Sequence, residues 1–408
     1  MLDDPAAGRF SLDIVAPDHP VVLFAWSGHG TLFDTRAMAL LGIGATEPDP
    51  FGGVYGRIPG TPIVNGVAHE YAEFGIRRKL LALVPNDALV AAYRGFAAQA
   101  AQLGFTSLQD MAVGLTHERA LSVLRAANVP LRVRSICVPL TPNEPCATSA
   151  GPSDRLRAAG VKWITDGTPI ERRAFVTSPY VDDPDNVGAF NFPLTPFRAL
   201  VASQRTGEPA RDQVLFHSVG DAAISNVLDA LEATGSPSAW TVRRPRIEHG
   251  DLMFGADIER AAKNGVVVVQ NGTHLGLTPV WAQRFAPDVF GQLEPVRSLL
   301  SAGVRLALGT DGIGRPLSPW VDMMLLVIHP THPAEALTIE EAVTAYTSGS
   351  AYAEFEEDRK GTLTPGRLAD LAVLSQDVFH ASPSALPATS SVLTMVGGDV
   401  VWDAGVLH

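Results

Sequence analysis

The sequence predicts an α/β protein built around a parallel barrel, because apolar strands alternate with helix-like stretches along most of the chain. Seven units of strand, loop and helix-like stretch lie between residues 105 and 360. The strands are almost continuously apolar, as expected when both faces of a parallel sheet are covered. A closed barrel of this kind needs eight strands, so one strand is missing from the count.

The seven predicted strands cover residues 105–110, 131–137, 161–167, 213–218, 245–250, 266–270 and 304–310. A helix-like stretch at 86–104 precedes them, and another at 153–160 follows the second strand. We therefore predict the barrel over residues 86–360. Residues 1–85 are rich in glycine and proline, with one strand and a turn at 18–34, and are interpreted as an elaborated segment that follows the missing strand. Residues 361–408 are interpreted as short strands of a small β-structure.

Bulk composition favours an ordinary globular protein. The chain has 408 residues, of which 46% are hydrophobic and 18% charged, and its net charge of −12 disfavours nucleic acid and anionic membranes as partners. Two cysteines, Cys137 and Cys146, provide neither a disulfide framework nor a CxxC motif, which favours a reducing compartment. The N-terminus lacks the features of a signal peptide, and the apolar run at 323–328 is too short to span a bilayer. These observations predict a cytoplasmic protein.

Four polar residues fall on the predicted strands in a pattern that suggests a metal site. His217, His249 and Asp311 each stand where a strand ends, and Lys162 lies near the start of the third strand. The C-terminal strand ends of such barrels form the active-site face, where residues distant in sequence meet. Two imidazoles and an oxygen ligand suit a divalent metal, and a nearby carboxylate can take a proton from the water that the metal activates. Each residue alone has an ordinary structural explanation, so the joint placement carries the hypothesis.

Five ordered motifs resemble the amidohydrolase superfamily of metal-dependent hydrolases. They are VKWITDGTPIER (161–172), VLFHSVGDAA (214–223), RIEHGDL (246–252), LALGTDG (306–312) and the tail EDRKGTLTPGRLADLAVLSQD (357–377). More narrowly, the chain resembles amidohydrolase family 3, which includes N-substituted formamide deformylases, from about residue 15 to 403. The resemblance implies a (β/α)8 TIM barrel, a small β-sandwich formed by both chain ends, and one or two divalent metals, usually zinc.

The resemblance also implies residue roles. His217 and His249 match metal ligands, Asp311 matches a ligand that is also the general base, and Lys162 matches a position that is often carboxylated and bridges two metals. The family places an H-x-H pair on its first strand to bind the more buried metal, and this sequence contains no H-x-H. We therefore expect a chain that lacks barrel strand one and part of the sandwich, with a second metal site in doubt.

Several further residues are expected near the site. His29 in SGHG and His274 in QNGTHL are candidates for substrate binding, and Arg172 would suit an anionic substrate group. A surface turn, an idle loop residue and a solvated arginine are the respective alternatives. Asp166 is expected to orient neighbouring groups, and Gly167 to adopt a backbone angle that only glycine reaches easily.

The favoured function is hydrolysis of an amide-like carbon–nitrogen bond by metal-activated water, with linear amides or formamides as substrates. Cyclic amides and lactones stay open, and a deaminase is disfavoured by Lys162. The alternative from another class is a catalytically impaired or inactive remnant of such an enzyme. The expected partner is a small amide-like molecule, and a homodimer is left open. No GxSxG elbow, P-loop or GxGxxG motif supports another chemistry.

Overall fold

The computed structural model describes residues 2, 4, 6–312 and 318–406. The strands are β1 Val22–Phe24, β2 Gly30–Phe33, β3 Gly53–Arg57, β4 Val64–Glu70, β5 Ser107–Asp110, β6 Arg132–Cys137, β7 Leu156–Ile164, β8 Val214–Ser218, β9 Arg246–His249, β10 Val267–Gln270, β11 Arg305–Leu308, β12 Leu371–Leu374, β13 Ser391–Val396 and β14 Asp399–Asp403.

The α-helices are α1 Arg9–Val15, α2 Thr35–Leu41, α3 Tyr71–Ala82, α4 Asn86–Gln102, α5 His117–Ala127, α6 Leu194–Ser203, α7 Asp221–Thr234, α8 Pro237–Arg243, α9 Ala256–Lys263, α10 Thr278–Arg284, α11 Pro287–Phe290, α12 Val296–Ser301, α13 Pro319–Ile328, α14 Ile339–Thr344 and α15 Ser350–Ala353. A π-helical turn, Ala345–Gly349, joins α14 to α15. Short 3-10 helices span Pro169–Glu171, Gly272–Leu277, Pro333–Glu335 and Pro383–Ala388.

A curled parallel sheet forms the centre of the molecule. Its order is β5-β6-β7-β8-β9-β10-β11, so each strand pairs in parallel with its neighbours in sequence. Seven parallel strands are therefore present among the described residues, which confirms the predicted α/β class and the predicted strand count. The strand order is that of a barrel wound in one direction.

The two faces of this sheet differ in chemistry. Phe216, Ile247 and Val268 are fully buried against the helices in the largest apolar cluster of the protein. The alternating residues point to the opposite side, which we call the inner face, because successive side chains of a strand point to opposite sides. The inner face is largely polar: the Arg134 guanidinium donates to Gln213, and Arg246 pairs with Glu248 on its own strand. The apolar core thus lies between the sheet and its helices.

The prediction of a helix-like stretch at 153–160 is wrong. This stretch contributes the first half of β7, where Leu156 pairs with Val133 of β6. Ala158 is buried against Leu121 and Leu156 packs beside it, which is the two-residue spacing of a strand. Gly160 has a φ of 92°, which a helix does not accommodate. Pairing with β6 therefore overrides the helix propensity of the leucine and alanine residues.

The expectation that the cysteines form no disulfide is also wrong. Cys137 and Cys146, nine positions apart in the sequence, are bonded, with Cα atoms 5.7 Å apart. The loop after β6 turns back on itself and brings the second sulfur to the strand end, a geometry that the nine-residue spacing alone does not reveal. His117 lies beside both sulfurs, but sulfurs joined to each other are not available as thiolate ligands.

The two chain ends form separate antiparallel sheets. The N-terminal segment, predicted to hold one strand and a turn, contains the four-stranded sheet β1-β2-β4-β3, so three strands were missed. The tail contains the predicted short strands as the sheet β12-β13-β14, and Thr394 of this sheet donates to the Ala101 carbonyl of α4. The proposed boundaries at residues 85 and 360 stay predictions. No helix in the described part of the chain combines the length and the apolar character that crossing a membrane requires.

Candidate active site

Four histidines stand in a row at the C-terminal ends of the parallel strands. His217 is the penultimate residue of β8, and His249 is the last residue of β9. His274 lies four residues after the end of β10, and His29 lies in the turn before β2. Their ring centroids are 4.5 Å apart for His29 and His217, 4.6 Å for His217 and His249, and 5.2 Å for His249 and His274. We call them the histidine row. All four line one narrow cleft, which Asp311 also lines.

Hydrogen bonds to the ring nitrogens fix the tautomers of two imidazoles. The side-chain Nδ2 of Asn271 donates to the Gly309 carbonyl at 2.6 Å, so its Oδ1 is the atom that faces His249 Nδ1 at 2.8 Å. The Nδ1–H of His249 therefore donates, and its Nε2 keeps a lone pair. His274 Nδ1 lies 2.8 Å from Asp251 Oδ2, which has the same effect. In the neutral form, both rings are therefore protonated at Nδ1.

His217 presents a buried nitrogen that has no hydrogen-bond partner in the described part of the chain. This atom is Nε2, and the nearest carboxylate oxygen, Oδ1 of Asp166, is 3.9 Å away. Burial lowers the pKa of His217 well below its ordinary value, and the charges of His29 and His249 act in the same direction. Burial likewise lowers the pKa of His249 to about 4. A neutral, unpartnered imidazole nitrogen is costly in an interior unless it binds a ligand, and it is the form that binds a divalent metal.

Lys162 and Asp311 interact electrostatically with each other and with the histidines of the site. Burial lowers the pKa of the Lys162 ammonium, while Glu248 and Asp311 raise it. The Lys162 charge in turn lowers the pKa of both His217 and His249. Asp311 lies three residues beyond β11, on the rim of the cleft, with its side chain exposed. The four residues predicted as metal ligands are therefore neighbours in the structure, although their role as ligands stays a prediction.

His29 differs from His217 and His249 because it is paired with a buried acid and its pKa is raised. Its Nδ1 lies 2.9 Å from Oε2 of Glu70, whose side chain is fully buried. Burial lowers the pKa of His29, but the charge of Glu70 and its hydrogen bond outweigh that effect and raise it to about 9, with Glu171 and Glu73 contributing. His29 is therefore an imidazolium at neutral pH. It can donate a hydrogen bond into the cleft but cannot bind a metal in that form.

Three side chains of the site stand on left-handed backbone. The φ angles are 55° at Glu70, 73° at His249 and 43° at Asp311, values that are uncommon outside glycine. Because Glu248 belongs to the inner face, regular alternation would turn the next residue, His249, toward the helices. The left-handed turn instead brings its ring against His217. Such conformations cost about 1–3 kcal/mol each and concentrate at functional sites.

The remaining predicted residues lie around this centre. Arg172 pairs with Asp182 at 2.7 Å and is not among the residues that line the cleft, so its contact with substrate stays a prediction. Asp166 accepts hydrogen bonds from the backbone N–H groups of Val219 and Gly220 and so ties the loop after β8 to the end of β7. Gly167 was expected to have a special backbone angle, and that expectation is wrong. A Cβ there would lie 2.4 Å from Oε1 of Glu70, so close approach explains the glycine.

Sequence reasoning missed the residues that orient the histidines. Glu70 and Asn271 carry no marker in the sequence, since they join the site only through long-range contacts. Asp251 could have been noticed, because it follows His249 by two residues in RIEHGDL. The apolar wall of the cleft was also missed; its residues are Ile170, Val219, Leu277 and Trp281.

Comparison with known proteins decides the family. The family model described as "Amidohydrolase family" matches residues 4–402. The chain belongs to the amidohydrolase family. This membership confirms the resemblance found in the sequence motifs. It also supports metal-dependent hydrolysis of carbon–nitrogen bonds as the class of activity.

Amidohydrolase relatives align along nearly the whole chain. The N-substituted formamide deformylase of Arthrobacter pascens is 28% identical over 96% of this chain and 74% of its own length. The putative amidohydrolase YtcJ of Bacillus subtilis is 25% identical over 97% and 76%, respectively. Protein LONG AFTER FAR-RED 3 of Arabidopsis thaliana is 25% identical over 95% and 70%.

Solved amidohydrolase-like structures confirm the fold. An uncharacterized metal-dependent hydrolase from Pyrococcus horikoshii superposes with a TM-score of 0.71, at 22% identity, over 93% of this chain and 75% of that chain. An adenosine deaminase from Xanthomonas campestris with bound zinc gives a TM-score of 0.52 at 16% identity, over 79% and 71%. At these identities the comparison establishes the barrel fold of the amidohydrolases and leaves the substrate open.

Proposed function

We propose that this amidohydrolase cleaves the carbon–nitrogen bond of a small linear amide, with N-substituted formamides as the leading class. The observation that carries the proposal is the histidine row, in which the buried Nε2 of His217 has no partner among the described residues. The class of substrate is supported by the deformylase relative and by the apolar residues that line one side of the cleft.

The residues present fit a divalent metal. His217 and His249 would hold it through neutral imidazole nitrogens, with Asp311 and the Lys162 amine, if carboxylated, as oxygen donors. Burial favours this arrangement, because it keeps both imidazoles unprotonated and lowers the pKa of Lys162 toward the amine form that reacts with carbon dioxide. Mixed nitrogen and oxygen donors of this type suit zinc. When bound, such a metal polarises a carbonyl group and acidifies a neighbouring water molecule.

Asp311 is the proposed proton carrier. Its side chain lines the cleft on an exposed rim, where both water and the leaving group can reach the carboxylate. It accepts a proton from the attacking water as the new carbon–oxygen bond forms. It then returns that proton to the departing nitrogen as the carbon–nitrogen bond breaks, which yields a carboxylic acid and an amine. One carboxylate thus serves as base and then as acid.

His29 is the proposed donor to the substrate carbonyl oxygen. Its pKa of about 9, set by Glu70 against the opposing effect of burial, keeps it protonated throughout the neutral range. A cationic donor at this position stabilises the negative charge that develops on the carbonyl oxygen during attack. His274 stands at the other end of the histidine row, oriented by Asp251, and would contact the substrate from the opposite side.

The apolar wall would receive the substituent on the leaving nitrogen. Ile170, Leu277 and Trp281 line the cleft beside the histidine row, and the Trp281 indole is fixed by a hydrogen bond to the His274 carbonyl at 2.8 Å. An alkyl or aryl group buries apolar surface there, whereas a charged group would not be compensated. We therefore expect apolar N-substituted formamides to be better substrates than charged ones.

The first test measures metal content by elemental mass spectrometry on the purified chain. We expect about one equivalent of zinc, lost in the His217→Ala/His249→Ala variant. The matched control is His380→Ala, which removes an exposed histidine paired only with Asp377 and should leave the metal in place. Absence of metal from a folded wild-type chain would sink the proposal and favour the inactive remnant.

The second test distinguishes substrate classes with the metal-loaded protein. Amine release is measured from N-alkyl and N-aryl formamides, and ring opening of cyclic imides and lactones of similar size is measured by the acid that it releases, with a pH indicator. We expect turnover of the formamides, reduced in Asp311→Asn and unchanged in His380→Ala. Preferential turnover of the cyclic compounds would retain a metal-dependent hydrolase and reject the linear-amide assignment.

A further inference from the structure

A second cavity opens at the other end of the parallel sheet. Its volume is about 360 Å³, and its walls include Arg132 and Leu156, which begin β6 and β7. The histidine row lies where the strands end, so the two sites are separated by the length of the inner face. We call this space the lower cavity. The proposed hydrolysis requires nothing from it.

Positive charge predominates in the walls of the lower cavity. Six basic side chains line it, against three carboxylates: Arg132, Arg134, Arg155, Arg157, Arg359 and Lys360, against Asp154, Glu354 and Glu356. Glu354 already accepts from Lys360 at 2.5 Å and Arg157 at 3.0 Å. Glu356 accepts from Arg157 at 2.8 Å and from Arg359 at 2.9 Å. Each of these two acids is therefore shared between two cations. Asp370 and Asp399, which lie outside the wall, pair with Arg132 at 2.6 Å and with Arg155 at 2.5 Å. The six cations thus face five acids, which leaves an excess of one positive charge.

Arg134 marks the inner end of the lower cavity. Its side chain is only 2% exposed, its Nε donates to the Ala159 carbonyl at 3.1 Å, and its Nη2 donates to Gln213 at 2.8 Å. Its Nη1 has no acceptor among the described residues. The neighbouring Arg246 is different, because Glu248 and Gln109 together satisfy all three of its nitrogens. A buried guanidinium nitrogen that lines a cavity without an acceptor is costly and is suited to a ligand oxygen.

The charges around Arg134 also favour an anionic ligand. Burial and the charge of Arg246 together lower the pKa of Arg134 to about 9, while Glu354 opposes the effect. An anion next to Nη1 would remove this penalty. Arginine is also the side chain best matched to the planar or tetrahedral oxygens of carboxylate and phosphate.

We propose that the lower cavity binds a small anionic molecule through a carboxylate or phosphate group, with Arg134 Nη1 as the innermost donor. Arg359 is the most exposed cation of the wall, and Arg155 and Arg157 are about one-third exposed, so we assign Arg359 and Arg155 to the mouth. A cavity of this size accommodates a metabolite-sized ligand. The site is distinct from the cleft of the histidine row in position, charge and ligand class.

The test is isothermal titration of the full-length, metal-loaded chain with inorganic phosphate and, separately, with citrate, at constant ionic strength. We expect one of the two to bind, and to bind about tenfold or more weakly in Arg134→Met, because a hydrogen bond between ions is lost. Arg359→Ala at the mouth should weaken the same ligand. Arg211→Ala is the matched control, since this exposed arginine pairs with Asp212 away from the lower cavity.

Each outcome of the titration either supports or overturns the proposal. Binding of phosphate alone, or of citrate alone, with loss in both cavity variants supports the proposal and identifies the anionic group. Absence of binding by both probes at millimolar concentration overturns it, as does equal binding by the cavity variants and the control. Should Arg134→Met not fold, Arg359→Ala and Arg155→Ala decide the question. Failure of the anion-binding proposal leaves the proposed hydrolase activity unaffected, because metal content and amine release are measured independently.

Discussion

Replacing Glu70 with glutamine should convert the His29 imidazolium into a neutral imidazole at neutral pH. The pKa of His29 is about 9 in the folded protein, against an ordinary value of 6.5. This difference corresponds to about 3 kcal/mol of interaction between the protonated ring and its surroundings. Both side chains are well buried, 12% and 0% exposed, so solvent screens the pair little. Without the charge of Glu70, burial dominates and the pKa should fall toward 6.5 or below.

The same shift makes stability depend on pH with a definite sign. Because the folded-state pKa lies above the unfolded one, the stabilisation is complete below pH 6.5 and is lost as the pH rises through 9. It amounts to about 3 kcal/mol at pH 6, about 2.5 kcal/mol at pH 7 and less than about 0.5 kcal/mol at pH 9. The wild type should therefore exceed Glu70→Gln in unfolding free energy most strongly in mild acid, and the difference should narrow in base.

Two measurements check this on metal-free protein. The first is an NMR titration of the histidine Hε1 resonances, with His29→Asn used for assignment, which should give a pKa near 9 that falls in Glu70→Gln. The second is urea unfolding at pH 6, 8 and 10. Asp377→Asn, which removes the partner of exposed His380, is the control and should leave stability unchanged at each pH. A wild-type His29 that titrates near 6.5, or a Glu70→Gln difference independent of pH, would refute the reasoning.

Three further changes have defined outcomes. Asn271→Ala releases Nδ1 of His249 and should weaken metal binding about 10- to 100-fold, as measured by competition with a chromogenic chelator. Asp311→Asn should lower kcat about 10²- to 10⁴-fold with little change in KM, because proton transfer is lost while the cleft is retained. Reduction of the Cys137–Cys146 bond should cost about 2.5 kcal/mol of unfolding free energy, the loop entropy of a nine-residue separation, as measured by urea unfolding with and without dithiothreitol.

Each of these outcomes has a result that contradicts it. Unchanged chelator competition in Asn271→Ala would mean that the amide does not orient the ligand nitrogen. Full activity in Asp311→Asn would assign proton transfer to another group. Identical urea curves with and without dithiothreitol, together with two thiols titrated in the untreated protein, would show that the cysteines are not bonded.

The parallel sheet was predictable because its strands carry their signal locally. The side of each strand that packs against the helices needs apolar residues. Strands β8 and β9 provide them. The same regularity placed His217 and His249 at the site, since the strand ends of a parallel sheet converge. The prediction failed at 153–160, where a helix-prone composition yields to pairing with β6, and in the N-terminal sheet, where the strands are short and partly polar.

The partners of the site residues were not predictable, because their contacts span long stretches of chain. Glu70 stands 41 residues from His29, and Asn271 stands 22 residues from His249. Nothing in the local sequence distinguishes these residues from other buried polar groups at strand ends. Their importance appears only when β4 and β10 are folded against the histidine row. The bond between Cys137 and Cys146 was hidden for the same reason.

The left-handed backbone at His249 limits which amino acids can ever occupy that position. Gly250, with a φ of 67°, continues the turn, so two consecutive residues hold the ring in place. Glycine, asparagine and aspartate tolerate such angles, whereas valine, isoleucine and threonine do not. A saturation library at this codon should therefore be depleted of β-branched residues even when selected for folding alone. The backbone thus restricts the residue at this position independently of any role of the imidazole in binding a metal.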